Sequence, residues 1–260
     1  MQTKKKKSMK EETLYKYLNI EGGKLMLKNS NLQYTNAAKF NDPFDCHPSL
    51  IDFSNVPSEL CRGWKTEDIQ LVRSNSYRRL RERAWVSCLS KKNDKLLMWS
   101  YYANHNGICI GLNMKKVSQY INSRCGFMVK SEGMEVEYRK IVQKPDFFKE
   151  AKDYYHYQLC TKGEAWKHEE EVRLFIIDPF PGLPSYTPYK PKNKKDLIPW
   201  NEVRFCPHIG GECFESLYLG IKIGEEKNAI IELARKLNPE IKIYQMQPDP
   251  EAFRLVPKEL

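Results

Sequence analysis

Glutamates at 169, 170 and 171 lead into an apolar segment that contains Arg173 and continues to Ile177, and this run predicts a buried β-strand with carboxylates at its start. Side chains of an extended segment point to opposite faces in turn. One face would carry Glu169, Glu171 and Arg173, and the other Val172, Leu174 and Ile176. Two carboxylates would therefore lie together at the end of a strand, where functional groups are commonly displayed. The simplest alternative is a solvated strand end with an ion pair between Glu171 and Arg173.

Short apolar runs elsewhere in the chain of 260 residues predict a single α+β domain over residues 11–260. The predicted strands are Leu14–Leu18, Ala84–Ser90, Ile108–Leu112, Val136–Val142 and Ile241–Met246, and the predicted helices are Leu96–Ala103, Phe147–Cys160 and Asn228–Leu237. Helices are also predicted between Val56 and Arg83, and a long surface loop is predicted beyond Pro179. Gly22 and Gly23 predict a turn.

The net charge is +10, and part of it lies in one short segment. Lys4 to Lys7 with Lys10 predict a basic, disordered tail over residues 1–10, because these lysines have no apolar partner residues. The rest of the chain is also basic. Such a balance favours encounters with anionic partners, which include nucleic acid, nucleotides and acidic proteins.

The cysteines and the apolar runs bear on the compartment. The eight cysteines contain no C-x-x-C pair and predict reduced, buried thiols. Cys206, His208 and Cys213 supply three candidate zinc ligands where a structural site needs four, so no metal site is predicted. The apolar runs are too short to cross a bilayer, and the residues after Met1 lack an apolar signal core. We therefore expect a cytoplasmic protein with no membrane partner.

Five short motifs occur in an order that resembles a bacterial family. They are Leu-Tyr-Lys-Tyr from Leu14, Phe-Asn-Asp-Pro-Phe-Asp from Phe40, Leu-Met-Trp-Ser-Tyr-Tyr-Ala from Leu97, Gly-Ile-Cys-Ile-Gly from Gly107, and Trp-Lys-His-Glu-Glu-Glu-Val-Arg-Leu from Trp166. Together they resemble the domain-of-unknown-function family 2971, from about Leu14 to the region of Gly220. The name of this family implies no activity.

A more remote resemblance, to the ADP-ribosyltransferase superfamily, implies a chemistry. Its three core motifs are similar to Leu14-Tyr15-Lys16, Val86-Ser87-Cys88-Leu89-Ser90 and Glu169-Glu170-Glu171-Val172. The resemblance implies a split mixed or antiparallel sheet flanked by helices. It also implies NAD as the substrate, and transfer of ADP-ribose to an unknown protein or nucleic-acid target.

The same resemblance implies roles for individual residues. Glu171 would promote the loss of nicotinamide, and Glu169 would orient or deprotonate the acceptor. Lys16 would grip the dinucleotide, and Ser87 would help to hold the nicotinamide ribose. Further candidates for contacts to NAD, beyond the resemblance, are Tyr17, Ser90, Trp99 and Tyr102, and the aromatic rings of Trp99 and Tyr102 would stack on nicotinamide or adenine. The chain departs from the superfamily pattern at Lys16, where Arg or His is usual, and Lys forms weaker bidentate contacts to phosphate. Cys88-Leu89-Ser90 also differs from the usual Ser-Thr-Ser.

Two other functions fit the sequence. One is a noncatalytic module that binds nucleotides or nucleic acid through the segment from Arg73 to Arg83 and exposed tyrosines. The other is a metal-dependent hydrolase or nuclease that uses Asp42, Asp45, Glu169 and Glu171 around a divalent ion.

Overall fold

The computed structural model describes residues 13–55, 57, 59, 65, 67, 70, 81–125, 129–149, 154–177 and 204–260. The predicted basic tail, most of the predicted helices between Val56 and Arg83, and the predicted loop beyond Pro179 lie outside these residues. The described residues form a mixed sheet with helices on both faces, so the predicted α+β class is confirmed.

The helices and strands are named here in chain order. The α-helices of the described residues are α1 (Ile20–Asn29), α2 (Leu96–Ala103), α3 (Met114–Cys125), α4 (Tyr154–Cys160) and α5 (Glu226–Leu237). The strands of the same ranges are β1 (Thr13–Leu18), β2 (Tyr34–Asn36), β3 (Ala84–Ser90), β4 (Ile108–Asn113), β5 (Val129–Glu135), β6 (Glu137–Arg139), β7 (Thr161–Gly163), β8 (Glu171–Ile177), β9 (Arg204–Phe205), β10 (Phe214–Leu219), β11 (Lys242–Pro248) and β12 (Leu255–Glu259).

The main sheet follows the strand order β12-β11-β10-β4-β1-β3-β2-β9, and β8 pairs with both β3 and β5. The pair β10 and β11 is parallel, whereas the other pairs of this sheet are antiparallel. Strands β6 and β7 form a separate parallel pair beside the main sheet.

The sheet divides along one edge of β3. Strand β8 pairs with every residue of β3, from Ala84 to Ser90. The other edge is shared by two strands, because β2 pairs with β3 at Trp85 and Val86 whereas β1 pairs with it at Ser90. The backbone of β3 between Val86 and Ser90 therefore faces a gap between β1 and β2.

The two faces of the sheet pack against different helices. The larger core includes alternate residues of β1, β3, β4 and β8 and is covered by α1, α3 and α5. Leu14 belongs to it, whereas Tyr17 faces the second core, which α2 covers with Met98 and Trp99. The alternation predicted for Val172, Leu174 and Ile176 is confirmed, because all three lie in the larger core.

Several predicted elements are confirmed, and others are wrong in whole or in part. The predicted helix Phe147–Cys160 is helical at Tyr154–Cys160, whereas residues 147–149 form a turn, and the predicted strand Val136–Val142 is limited to Glu137–Arg139. The strand Ala84–Ser90 and the helix Leu96–Ala103 have the predicted bounds. The predicted turn at Gly22 and Gly23 is wrong, because both glycines lie in the first turn of α1. A Cβ atom at Gly23 would lie 2.4 Å from Cδ1 of Ile108, so glycine lets this helix approach β4 closely. Among the described residues, no helix has the length and apolar character needed to span a membrane.

Candidate functional site

A cavity opens where β1 and β3 diverge, next to the start of β8. Its volume is about 170 Å³, and it is partly open to solvent. Strands β1 and β3 supply one part of its wall, and the loop from Phe40 to Asp45 supplies another. The wall residues used below are Tyr15, Lys16, Tyr17, Phe40, Asp45, Cys88, Ser90, Tyr102, Lys162, Glu169 and Glu171.

Lys16 lies at the point where the sheet divides. Its Nζ atom donates to the carbonyl oxygen of Cys88 at 2.9 Å. This carbonyl faces the gap between β1 and β2, so the lysine satisfies a backbone acceptor that the sheet ladder leaves open. Burial lowers the pKa of Lys16, although the neighbouring Cys88 and Glu171 oppose the shift. The ammonium group has two further N–H donors with which to meet a ligand.

Lys162 of β7 joins the two glutamates of the predicted pair. Its Nζ atom lies 2.6 Å from Oε2 of Glu169 and 3.2 Å from Oε2 of Glu171. Tyr102 of α2 donates its hydroxyl to the other oxygen of Glu169 at 2.5 Å. Both oxygens of Glu169 and Oε2 of Glu171 therefore have donors, and both glutamates are buried.

Arg173 binds both carboxylate oxygens of Glu171. Its Nε and Nη2 atoms donate to the two oxygens of Glu171 at 2.8 and 3.0 Å. The same guanidinium donates to both oxygens of Asp45, each at 2.7 Å, and to the carbonyl oxygen of Leu159 at 2.7 Å. Arg173 is fully buried, so the predicted ion pair with Glu171 is confirmed but the alternative of a solvated strand end is wrong.

Glu170 has a left-handed backbone conformation and separates Glu169 from Glu171, and both of these glutamates line the cavity. Glu169 ends a 3₁₀ helix (Glu164–Glu169), Glu170 has φ 42° and ψ 52°, and Glu171 begins β8. The prediction of one extended segment from Glu169 is therefore wrong, although Glu169 and Glu171 do face the same cavity. A non-glycine residue in this backbone region costs about 1–3 kcal/mol and is commonly found at functional sites. The side chain of Glu170 turns away and pairs with Lys95.

The two glutamates have different affinities for protons. Burial opposes ionisation of Glu171, but the positive charges of Arg173 and Lys162 outweigh it and lower the pKa of Glu171. Burial and the charge of Glu171 raise the pKa of Glu169, against the opposing influence of Lys162. Glu171 is therefore a fixed anion at neutral pH, whereas Glu169 is the carboxylate that more readily takes up a proton.

Most of the site residues predicted from the sequence meet at this cavity. Those that line it are Lys16, Tyr17, Ser90, Tyr102, Glu169 and Glu171. Ser90 also fixes the turn before β8, because its hydroxyl donates to the carbonyl oxygen of Glu169 at 2.7 Å. The cavity wall thus contains one serine of β3 and both glutamates of the motif.

Ser87 and Trp99 lie away from the cavity wall. Ser87 is fully buried, and strand alternation places it on the face of Trp85 and Leu89, which belong to the larger core. Trp99 is fully buried in the second core, where its indole N–H donates to the carbonyl oxygen of Asn93 at 2.8 Å. Neither side chain is positioned to touch a ligand in this cavity.

The carboxylates of the metal alternative are already paired. Asp42 accepts a hydrogen bond from the backbone N–H of Phe44, while Asp45 and Glu171 bind Arg173. The described part of the chain contains no group of three or more His, Cys, Asp and Glu side chains arranged to hold a metal ion. The donor set therefore fits cationic side chains better than a divalent ion. Arg73 to Arg79 of the nucleic-acid alternative lie outside the described residues.

Lys162 is a residue of the site that the sequence motifs do not indicate. No motif includes this residue, and its position after a helix resembles that of many surface lysines. Two structural features bring it inside. Its strand β7 pairs with β6 at Tyr138, and the Tyr138 hydroxyl accepts the backbone N–H of Glu171 at 2.8 Å. The small parallel sheet therefore fixes Lys162 against the start of β8.

Comparison with known proteins identifies one family over part of the chain. Residues 98–174 match the family described as "Protein of unknown function (DUF2971)". This stretch contains Tyr102, Lys162, Glu169, Glu171 and Arg173, and the match confirms the resemblance to this family over residues 98–174. The motifs that begin at Leu14 and Phe40 lie outside the matched residues. No curated protein and no solved structure matches the chain.

Proposed function

We propose that the protein cleaves NAD and transfers its ADP-ribose group to a protein or nucleic-acid target. The observation that supports this proposal is the meeting of Lys16, Ser90 and Glu171, from three different strands, at one cavity. The divergence of β1 from β3 also agrees with a split sheet of the ADP-ribosyltransferase type. The likeness to that superfamily is one of motifs and their placement, so the function is argued from the site.

The lysine and the aromatic residues would bind the substrate. One N–H of Lys16 is used by Cys88, and the others would donate to a phosphate of NAD. Phosphate oxygens favour the charged form of the amine, so they would offset the effect of burial on the pKa of Lys16. Tyr15, Tyr17 and Phe40 offer aromatic surface to the nicotinamide or adenine rings.

The glutamates would carry the transfer step. The bond between ribose C1′ and the nicotinamide nitrogen breaks, its electron pair leaves with nicotinamide, and positive charge builds on C1′. Glu171 would stabilise this charge without reorganising, because Arg173 already fixes it as an anion. An O–H or N–H group of the target then bonds to C1′, and its proton passes to Glu169.

The test is incubation of the purified protein with adenylate-labelled NAD and cell extract, followed by measurement of labelled target and released nicotinamide. Glu171→Gln should lower turnover about 100- to 1000-fold, as for the loss of one preorganised electrostatic group. Glu170→Gln is the matched control, because Glu170 lies between the two site residues but pairs with Lys95 outside the cavity. It should keep wild-type turnover.

Two results would count against the proposal. One is equal turnover by wild type and Glu171→Gln, and the other is no label transfer and no nicotinamide release by the wild type. Nucleotide or nucleic-acid binding without turnover would instead favour the noncatalytic module. Binding by such a module should weaken steeply as the salt concentration rises.

A further inference from the structure

Lys162 contributes a contact that the rest of the buried network does not supply. Arg173 by itself already binds both oxygens of Asp45 and both oxygens of Glu171. Lys162 adds weaker contacts to these two carboxylates, at 3.6 and 3.2 Å. Its short contact, at 2.6 Å, is to Glu169. Within the described residues, no other cation contacts Glu169.

The charges of the site show why this contact matters. Two carboxylates, Asp45 and Glu171, are matched by two cations, Arg173 and Lys162. Glu169 is a third buried carboxylate, and it is held by the shared ammonium of Lys162 and the neutral hydroxyl of Tyr102. Burying a charge without a partner is costly, so without Lys162 the Glu169 carboxylate would take up a proton at a higher pH.

We infer that Lys162 is a positioning residue of the transfer step, whose ammonium holds Glu169 beside Glu171 in the ionised form that accepts a proton from the target. This inference rests on the proposed function. Lys162 does not itself need to touch NAD or the target. Its ammonium bridges the carboxylate that accepts the proton and the carboxylate that stabilises the ribose.

Other titratable and charged groups lie around Glu169 and the cavity, and apart from Tyr102 they are unchanged in the variants that test this inference. They come from each neighbouring element and are Tyr15, Lys16 and Tyr17 of β1, Cys88 of β3, Tyr102 of α2, Tyr138 of β6, Glu171 and Arg173 of β8, and Asp45 of the wall loop. None of them offers a second cation to the Glu169 carboxylate within hydrogen-bond distance.

The first test is the pH dependence of kcat/KM for nicotinamide release. Activity should rise as Glu169 loses its proton, which gives the profile an acid limb. In Lys162→Met this limb should move to higher pH by about one unit or more, because a nearby cation lowers the pKa of a carboxyl group by that amount. Lys162→Arg keeps the charge and should restore most of the wild-type profile. The matched control is Lys95→Met, which removes the partner of Glu170 and should leave the limb unchanged.

The second test does not depend on turnover. Carbon-13 labelling of the glutamate side chains gives a titration curve for each carboxyl carbon, and Glu169→Gln identifies the Glu169 signal. The titration midpoint of Glu169 should rise in Lys162→Met and return in Lys162→Arg. An unchanged midpoint in Lys162→Met would overturn the inference, as would lost activity with an unmoved acid limb, which indicates a purely structural role. If the Glu169 midpoint rises in Lys162→Met as expected but the wild type never releases nicotinamide, the proposed function is overturned instead.

A second variant covers the case in which Lys162→Met does not fold. Tyr102→Phe removes the other donor to Glu169 and leaves a side chain of nearly the same shape. It should raise the Glu169 midpoint by less than the loss of the cation does, because a neutral donor stabilises a carboxylate less than a charge. Tyr101→Phe is its control, since Tyr101 is 62% exposed and does not line the cavity. An equal Glu169 midpoint in Tyr102→Phe and wild type would contradict the idea that these donors keep Glu169 ionised.

Discussion

The Nζ atom of Lys16 lies 2.9 Å from the carbonyl oxygen of Cys88, in the gap that β1 and β2 leave along one edge of β3. This contact links the division of the sheet to the cavity, because the same lysine is part of the cavity wall. A strand that paired continuously with β3 would occupy the position of this ammonium group. The fold therefore makes room for the site by interrupting one sheet ladder.

The two serines of β3 should behave differently when they are replaced by alanine. Ser90 donates to the carbonyl oxygen of Glu169 and accepts from the backbone N–H of Lys92, at 2.7 and 3.2 Å. Ser90→Ala should therefore lower the free energy of unfolding by about 1–3 kcal/mol and weaken NAD binding. Ser87 has a buried hydroxyl without a hydrogen-bond partner among the described residues, so Ser87→Ala should be neutral or slightly stabilising.

Urea unfolding and NAD titration of the two serine variants measure these effects. Each variant is the control for the other, since both remove one hydroxyl from the same strand. A larger loss of NAD affinity in Ser87→Ala than in Ser90→Ala would contradict the position of the cavity on this strand.

The sequence predicts those parts of the fold in which side chains alternate regularly between the two faces of a strand. Alternation in β8 places Val172 and Leu174 in the core and Arg173 on the opposite face, because strand geometry alone determines which side chains share a face. The same rule places Ser87 with the core residue Leu89, and Ser90 beside the cavity. The sequence makes both serines candidates for contacts to NAD, whereas strand alternation places Ser87 and Ser90 on opposite faces of the sheet.

Other features depend on contacts between distant parts of the chain. Gly22 and Gly23 favour a turn locally, but Asn19 caps a helix here and its side chain accepts the N–H of Gly22 at 2.8 Å. The close approach of Gly23 to Ile108 then favours glycine inside that helix. Lys162 is a similar case, because its partners Glu169 and Glu171 identify it only after β6 and β7 have paired.

Arg173 should be essential for stability. Arg173→Met would leave Asp45 and Glu171 buried without their main cation, and breaking a buried ion pair in this way costs about 3–5 kcal/mol. Arg173→Lys should recover little, because an ammonium cannot reproduce two bidentate contacts. Arg254→Ala is the control: this arginine also pairs with an aspartate, but its side chain is 66% exposed.

Equilibrium unfolding in urea compares these arginine variants. Loss of the exposed pair between Arg254 and Asp249 should change the free energy of unfolding by no more than about 1 kcal/mol. Equal losses in Arg173→Met and Arg254→Ala would mean that the buried network contributes nothing specific to the fold.

The two site glutamates should give stability profiles of opposite slope with pH. The pKa of Glu171 is lowered in the folded protein, so the folded state binds this proton less tightly than the unfolded state does. Its contribution is present above the unfolded value of about 4.3 and is lost as the pH falls below it. The stability difference between wild type and Glu171→Gln should therefore shrink as the pH falls from about 5 to the lowest pH at which the protein folds.

The pKa of Glu169 is raised in the folded protein, so its ionisation destabilises the folded state. Wild type should therefore lose stability relative to Glu169→Gln as the pH rises above about 4.3. Urea unfolding at a series of pH values measures both differences, with Glu170→Gln as the reference for a partly exposed glutamate. Two profiles that slope in the same direction would show that the glutamates do not divide the roles of fixed anion and proton acceptor between them.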